Sequence, residues 1–303
     1  MRAGHRPSVR LGRARRALNP HVALVTCTRI PDLTPDDRLL AAALRERGAA
    51  ATPAVWDAST VDWASFDRIV LRSVWDYHLR VEKFAAWIDA RAADGTRLLN
   101  PASLVRWNLH KAYLADLAAA GHAVIETVRV PRGEPMSLAA LLGERGWKEA
   151  VVKPAVSASA HRTFRVGRSE APSRQGELDT IVSAGDALVQ PLAPEVLDAG
   201  EWSLVFVAGT FSHAVLKRGA AGEFRVQEEY GGRATPGDPG PAVLAQAAAV
   251  LAAAPGLSTY ARVDGIVRDG AFVLMELELI EPVLYLGVDA RAAGRLADAV
   301  LAL

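Results

Sequence analysis

The sequence predicts an α/β lobe followed by α+β lobes, and three observations lead to this prediction. Strand-like and helix-like patterns of apolar residues alternate from His21 to about residue 107, which is typical of an open parallel sheet. Beyond that point, short strands separated by turns dominate, which is typical of antiparallel sheets. The chain has 303 residues, of which half are apolar and 23% are charged, so it can bury cores in two or three lobes.

The order of these patterns divides the chain into four segments. We expect a disordered tail over residues 1–19, a Rossmann-like substrate lobe over 20–107, a central lobe over 108–192 and a C-terminal lobe over 193–303. The first twenty residues carry six arginines and no acid, so they contribute a charge of +6. Because the net charge of the whole chain is +1, the remaining residues have a net charge of −5. This tail could contact nucleic acid or an acidic surface, but we favour a solvated extension.

The first lobe begins with a buried strand, "HVALVTC", and a helix, "DDRLLAAALRERG". Acids stand at the start of this helix and Gly48 lies just beyond its end, as expected of helix termini. Two further strands and a helix follow: "ATPAVW", "DRIVLRS" and "VEKFAAWIDARAADG". Ligands bind at the carboxyl ends of such strands, so "RSVWDY" is a candidate ligand contact.

The later lobes begin with "NLHKAYLADLAAAG", which predicts a helix. Four short strands should follow it: "AVIETVRVP", "EAVVKP", "RTFRVG" and "DALVQPL". A hairpin is predicted for "EWSLVFVAGTFSHAVLKR", turning at Gly209. The alanine-rich "AVLAQAAAVLAAAPG" ends at a proline and is too short for a membrane span, which indicates a packed helix.

Carboxylates interrupt the apolar run "FVLMELELIEP" near the C-terminus. On a strand, Glu276 and Glu278 would share one face, while Val273, Met275, Leu277 and Leu279 would form the apolar face. One interpretation is a sheet with one solvated face. The other is a metal site, because adjacent carboxylates repel one another unless a cation intervenes.

The preceding strand, in "TYARVDGIVRDGAFVLMELELIE", decides how the acids meet. A two-residue loop would place Asp264 and Glu276 on opposite faces, whereas a three-residue loop with a bulge would place them together. The apolar residues of both strands share one parity only in the second register, which we therefore predict. It puts Arg262, Asp264, Glu276 and Glu278 on one face, where three carboxylates suit magnesium.

Lysines are scarce in this sequence, and two of them stand at informative positions. The five are Lys83, Lys111, Lys148, Lys153 and Lys217. Lys153 follows an apolar strand and precedes the small-residue loop "AVSASA", an arrangement that suits phosphate binding. The alternative is a lysine that extends from the end of a strand into solvent. The loop also lacks glycine, which weakens the interpretation as a phosphate-binding loop. Ser157 and Ser159 in this loop could donate hydrogen bonds to phosphate.

Taken in order, these segments resemble the ATP-grasp fold, in which ATP binds between two α+β lobes. Lys111 in "NLHKAYL" and Lys153 in "VVKP" resemble the two ATP-binding lysines. "LVQPL" resembles the hinge strand that contacts adenine, which implies roles for Gln190, Pro191 and Leu192. "GEWS" resembles the element whose acid, here Glu201, holds the ribose, and Lys217 is added to this nucleotide site.

The metal site carries the same resemblance. "RVD" and "MELE" resemble the pair of elements that hold magnesium, with Glu278 where asparagine is usual. The metal ligands implied are Asp264, Glu276 and Glu278, and Arg262 would stabilise the oxyanion. "FRVQEEYGGR" resembles the mobile loop of glutathione-synthetase-like members, which implies a catalytic contact for Arg225. The resemblance implies ATP and Mg²⁺ as cofactors, with two ions and with Mn²⁺ able to substitute.

Within the superfamily, the sequence resembles glutathione synthetase and the ligases that modify ribosomal proteins. "SVWDY" and "ELELIEP" resemble the O-ureido-serine cyclo-ligases of D-cycloserine biosynthesis. The resemblance implies a ligase that activates a carboxylate or ureido carbonyl for attack by an amine. Ring closure within one molecule and a non-catalytic nucleotide-binding module remain alternatives. The acceptor pocket would involve Arg72, Trp75, Asp76 and Tyr77.

Composition limits the remaining function classes. Cys27 is the only cysteine, so an internal disulfide is excluded and a reducing, cytoplasmic location fits. Nucleic-acid binding would depend on the tail, because the rest of the chain is slightly acidic. We expect an amino-acid-like small molecule as partner and no membrane, and we leave open whether the protein is a monomer or a homo-oligomer.

Overall fold

The computed structural model describes residues 19–95, 97–220, 222–227 and 230–302. The predicted tail lies outside this described part except for Asn19. Strands of the described residues form three sheets, one for each predicted lobe. None of the helices described is long and apolar enough to cross a membrane.

The first lobe is the predicted open parallel sheet. Its strand order is β2-β1-β3-β4, and every strand pair is parallel. The first helix begins after Thr34, whose hydroxyl accepts from the backbone NH of Asp37. The elements are β1 (His21–Thr26), α1 (Pro35–Glu46), β2 (Ala50–Val55), β3 (Arg68–Ser73), α2 (Val81–Ala93) and β4 (Arg97–Leu99).

The central lobe contains an antiparallel sheet of order β5-β8-β6-β7. Its elements are α3 (Ala102–Asn108), α4 (Tyr113–Ala119), β5 (Val128–Val130), α5 (Leu138–Glu144), β6 (Glu149–Pro154), β7 (Phe164–Gly167), α6 (Ala171–Ala184) and β8 (Ala187–Pro191). The predicted helix over residues 108–121 is wrong at its start. The chain turns between α3 and α4 because the backbone NH of Lys111 donates to Ala155 O at 2.9 Å instead of continuing a helix.

The C-terminal lobe has an antiparallel sheet of order β11-β10-β9-β12-β13. The predicted hairpin forms from β9 and β10 and turns at Ala208 and Gly209. The elements are α7 (Pro194–Asp198), β9 (Glu201–Val207), β10 (Thr210–Arg218), β11 (Arg233–Pro236), α8 (Pro241–Ala252), β12 (Tyr260–Arg268), β13 (Ala271–Glu278) and α9 (Ala292–Ala302).

The β12–β13 hairpin has the predicted register but reaches it differently. Asp264 pairs with Glu276 and Arg262 pairs with Glu278, so these four side chains share a face. The loop has two residues, since Arg268 pairs with Ala271, and the bulge lies at Met275 within β13. The predicted apolar face is therefore correct for Leu277 and Leu279 and wrong for Val273 and Met275. Leu274 joins Leu277 and Leu279 in one core, while Val273 and Met275 pack on the opposite face.

Packing crosses the predicted lobe boundaries at two places. Residues of α3 and α4, among them Leu104 and Leu117, pack against the C-terminal sheet and α8 rather than against the central sheet alone. Leu296 of α9 packs on Leu40 and Leu44 of α1 in the first lobe. The C-terminal helix thus completes the N-terminal core.

Candidate active site

A cavity of about 410 Å³ lies where the three sheets meet. It is lined by sixteen of the residues predicted to form the site: Trp75, Tyr77, Lys111, Lys153, Ser157, Ser159, Gln190, Pro191, Leu192, Glu201, Lys217, Arg225, Arg262, Asp264, Glu276 and Glu278. Two predicted residues, Arg72 and Asp76, are not in its lining. A polar cleft of this size can hold a nucleotide and a small substrate.

Asp264 is the centre of an ion-pair network on β12. Its carboxylate accepts from Arg262 Nε at 3.0 Å, Lys217 Nζ at 3.1 Å and Ser203 Oγ at 2.7 Å. Lys217 Nζ also donates to Glu201 Oε1 at 2.6 Å. Burial alone would raise the pKa of Asp264, but the charges of Arg262 and Lys217 lower it to about 2. The carboxylate is therefore ionised and fixed in position.

The two central-lobe lysines lie close to Glu276. Lys111 Nζ is 3.3 Å from Glu276 Oε1 and donates to Ser157 O at 2.8 Å. Burial would raise the pKa of Glu276, but the charges of Lys111 and Lys153 lower it. Lys153 forms no ion pair with any residue in the described ranges, and burial lowers the pKa of its ammonium group. An anionic ligand would supply the partner that Lys153 lacks.

Glu278 completes the acidic face of the hairpin and pairs with the Arg262 guanidinium. Burial raises the pKa of Glu278 to about 7 despite the attraction of Arg262, and the charges of Asp264 and Glu276 add to the rise. The ionised form of this carboxyl is therefore less favourable than that of a carboxyl in water. A further positive charge nearby would favour its ionised form.

Within the described residues, no group of three or more His, Cys, Asp or Glu side chains is arranged to hold a metal ion. The predicted ligands Asp264, Glu276 and Glu278 instead contact basic side chains. Their chemistry nevertheless fits magnesium. The cleft lining contains five acidic and five basic side chains, so a triphosphate would leave an excess of negative charge. Carboxylate oxygens on this face are suitable donors for the divalent cations that would offset it.

The end of β8 forms the wall predicted to contact adenine. The Gln190 side chain donates to Thr127 Oγ1 at 2.9 Å, so it supports the strand instead of pointing freely into the cleft. The backbone NH of Leu192 donates to Glu149 O at 3.0 Å. Pro191 and Leu192 offer an apolar surface beside Ile125 and Val196, which suits a flat base.

The loop between β6 and β7 has an unusual backbone. Ser159, Ala160 and Arg162 adopt left-handed conformations, with φ of 51°, 51° and 53°. Such conformations are costly for residues other than glycine and often occur at functional sites. Ser157 is held by its own hydroxyl, which donates to Pro154 O at 3.2 Å. None of these residues is glycine, so these conformations could not be predicted from the sequence.

Arg225 lines the cleft from the loop between β10 and β11. Its guanidinium pairs with Glu223 at 2.7 Å and lies 3.7 Å from the ring centroid of Tyr230. The Glu223 carboxylate therefore holds the Arg225 guanidinium at the wall of the cleft.

Arg72 and Asp76 are placed differently from the prediction. Arg72 is buried and pairs with Asp37 Oδ1 at 2.8 Å, and Asp76 accepts from Trp56 Nε1 at 2.8 Å. Both satisfy buried partners inside the first lobe, so neither faces the cleft. Trp75 and Tyr77, between and beside them, do line it.

Several cleft residues were given no role in the site from the sequence. Glu281 and Tyr285 line the cleft beyond β13, and Tyr285 has a left-handed φ of 51°. Asn108 binds the backbone of β13, with its amide donating to Leu277 O at 2.7 Å. The signal available in the sequence was the position of Asn108 three residues before Lys111.

Residues 22–100 match the family profile described as the N-terminal domain of D-cycloserine synthetase DcsG. The chain is 35% identical over 271 residues to the cycloserine biosynthesis protein DcsG of Streptomyces lavendulae, a match that covers 85% of this chain and 90% of that protein. The crystal structure of D-cycloserine synthetase DcsG superposes with a TM-score of 0.84 and 33% identity, over 93% of this chain and 99% of the other.

More distant structures share the fold alone. D-alanine–D-alanine ligase from Bacillus anthracis, complexed with ATP, has a TM-score of 0.68 at 16% identity, over 93% of this chain and 96% of that one. A RimK domain ATP-grasp protein from Sphaerobacter thermophilus has a TM-score of 0.68 at 21% identity, over 93% and 99%. The predicted ATP-grasp fold is confirmed, and a non-catalytic role is not supported. The chain is an ATP-dependent ligase that forms C–N bonds, and it belongs to the DcsG family of ATP-grasp enzymes.

Proposed function

We propose that this enzyme is a cyclo-ligase that uses ATP to activate the carboxylate of an O-ureido-serine-like amino acid and closes a ring within that molecule. The similarity to DcsG across 90% of that protein is the observation that supports this substrate class. The similarity extends to the first lobe, from which Trp75 and Tyr77 reach the cleft.

ATP would bind in the 410 Å³ cleft with its base against Pro191 and Leu192. Glu201 would hold the ribose hydroxyls, and Lys111 and Lys153 would contact the phosphates. Lys153 supports this placement best, because it is a half-buried cation that lines the cleft without an ionic partner among the described side chains. Ser157 and Ser159 would donate hydrogen bonds to the phosphate oxygens.

Magnesium would be held by Asp264, Glu276 and Glu278, where it neutralises the charge that develops on the phosphates. The number of ions and the use of Mn²⁺ are open to measurement by metal titration. Arg262, fixed by Asp264 and Glu278, would face the reacting carbonyl and stabilise its oxyanion. The Arg225 guanidinium would form an ion pair with the transferred phosphate in place of its ion pair with Glu223.

The reaction would proceed in two steps that this arrangement can support. A carboxylate oxygen of the substrate attacks the γ-phosphorus, the bond to ADP breaks, and an acylphosphate forms. The nitrogen attached to the side-chain oxygen of the same molecule then attacks the acyl carbon. The ring C–N bond forms, the nitrogen loses its proton and phosphate leaves.

ADP release measured with O-ureido-serine, single amino acids and dipeptides tests the proposal. We expect release with O-ureido-serine, together with a cyclised product detected by mass spectrometry. Glu276→Gln should abolish most of this release, whereas Glu195→Gln, the same chemical change outside the cleft, should not. ADP release with single amino acids or dipeptides but not with O-ureido-serine would contradict ring closure.

A further inference from the structure

Glu281 differs from the other carboxylates that line the cleft. Each of the others has a basic partner within 4 Å: Glu201 with Lys217, Asp264 with Lys217 and Arg262, Glu276 with Lys111, and Glu278 with Arg262. In the described part of the chain, no ion pair involves Glu281. A cation from outside the protein could therefore bind here without competing with a fixed partner.

Two aromatic side chains lie next to Glu281. Trp75 Nε1 donates to the backbone carbonyl of Glu281 at 3.1 Å, and the phenol of Tyr77 interacts with the Glu281 carboxyl. Aromatic faces attract ammonium groups, and they do so most strongly where water is excluded. The surroundings therefore favour a compact cation over a second anion.

The segment that carries Glu281 is held firmly by the first lobe. Arg72 Nη2 donates to Pro282 O at 2.8 Å, next to Glu281. The Asp36 carboxylate accepts from the backbone NH groups of Leu284 at 3.1 Å and Leu286 at 2.5 Å. A carboxylate whose backbone is fixed in this way is suited to orient a ligand.

Burial explains why an external cation would be favourable at this position. A half-buried carboxyl without a counter-charge has an unfavourable ionised form, and partial burial together with Glu278 raises the pKa of Glu281 to about 8. An ammonium group bound beside it would restore the ionised form.

We propose that Glu281, with Trp75 and Tyr77, binds the α-ammonium group of the amino-acid substrate. The proposal rests on the proposed function, because it requires a substrate with an amine beside the activated carboxylate. It makes Glu281 a specificity-determining residue: an analogue without the amine would lose its main contact in the acceptor pocket.

Steady-state ADP release with O-ureido-serine and with its analogue lacking the amino group tests this assignment in wild type and in Glu281→Gln. Removing the amine should lower wild-type kcat/KM on the order of tenfold to hundredfold, as loss of a charge-assisted hydrogen bond does. Glu281→Gln should lose a similar factor with the parent substrate, mainly through KM, and should barely distinguish the two compounds. Glu195→Gln should discriminate like wild type.

Three results would overturn the assignment. If Glu281→Gln distinguished O-ureido-serine from its analogue without the amino group as well as wild type does, another group would bind the amine. A fall in kcat at unchanged KM would indicate proton transfer instead of binding. Weaker binding of MgADP to Glu281→Gln would indicate a metal ligand.

Failure of the proposed function would look different. In that case wild type would release no ADP with O-ureido-serine. Calorimetric binding of O-ureido-serine to the MgADP complex still tests the subsite without turnover. Glu281→Gln should bind it about tenfold more weakly or worse, and equal binding would overturn the subsite.

Discussion

Two walls of the cleft differ in how their charges are satisfied. The paired wall, made of Glu201, Lys217, Arg262, Asp264 and Glu278, has an ionic partner for every charged group. The aromatic wall, made of Trp75, Tyr77 and Glu281, contains one half-buried carboxyl without a basic partner in the described residues. The first wall is organised before any ligand arrives, whereas the second is completed by one. Substituting the carboxylate of the paired wall should therefore lower the free energy of unfolding, whereas substituting that of the aromatic wall should raise it.

Asp264→Asn tests the paired wall and should have the largest effect. It removes the carboxylate shared by Lys217 and Arg262 and leaves both cations buried with less compensation. We expect the free energy of unfolding to fall by about 4–5 kcal/mol, as when one partner of a buried ion pair is removed. Urea unfolding measures this change, and a loss below about 1 kcal/mol would mean that the network is not structural.

Arg72→Met tests the support behind the aromatic wall. It leaves Asp37 buried without the guanidinium that lies 2.8 Å away, and it removes the contact with Pro282 O. The expected loss of unfolding free energy is about 3 kcal/mol. Adding Asp37→Leu should recover part of this loss, because the double variant has no unpaired buried charge. A double variant less stable than the sum of both single changes would contradict this explanation.

The pH dependence of stability should distinguish Glu281. Its pKa is about 8 in the folded protein and is raised from 4.5, so the folded state holds a proton that the unfolded state has lost between these values. Stability contributed by this group is therefore lost as pH rises through that window. Without ligands, Glu281→Gln should gain on the order of 1–3 kcal/mol relative to wild type between pH 5 and pH 8.5. A difference that does not change with pH would show that Glu281 is not protonated in this way.

Glu195→Gln should have the smallest effect and serves as the matched control. Glu195 pairs with Arg268 at 2.5 Å on the surface, where ion pairs contribute little. We expect a change below about 1 kcal/mol and ADP release like that of wild type. A larger effect would mean that the change from Glu to Gln perturbs this protein wherever it is made.

The sequence predicted the hairpin face well and its construction poorly. Apolar parity fixes which side chains share a face, so the pairing of Asp264 with Glu276 followed from the sequence. The position of the bulge depends on local packing instead. A Cβ atom at Gly265 would lie 2.4 Å from Val273 O, so this glycine permits the close approach beside the bulge.

The end of β3 shows why part of the site could not be predicted. "RSVWDY" correctly marked a strand end near the cleft, and its two aromatic residues do line it. Which of its charged residues turn inward depends on partners far along the chain, such as Asp37 and the carbonyl of Pro282. Spacing within one segment contains no information on such partners.

Nucleotide binding to two variants, one from each side of the cleft, tests the central claim that the two walls serve different ligands. Calorimetry should compare MgADP binding to wild type, Lys153→Met and Glu281→Gln. We predict that Lys153→Met binds MgADP on the order of tenfold to hundredfold more weakly, because it loses a charged phosphate contact. Glu281→Gln should bind it within about twofold of wild type. Equal losses in both variants, or a loss only in Glu281→Gln, would contradict the division of the cleft into a nucleotide side and a substrate side.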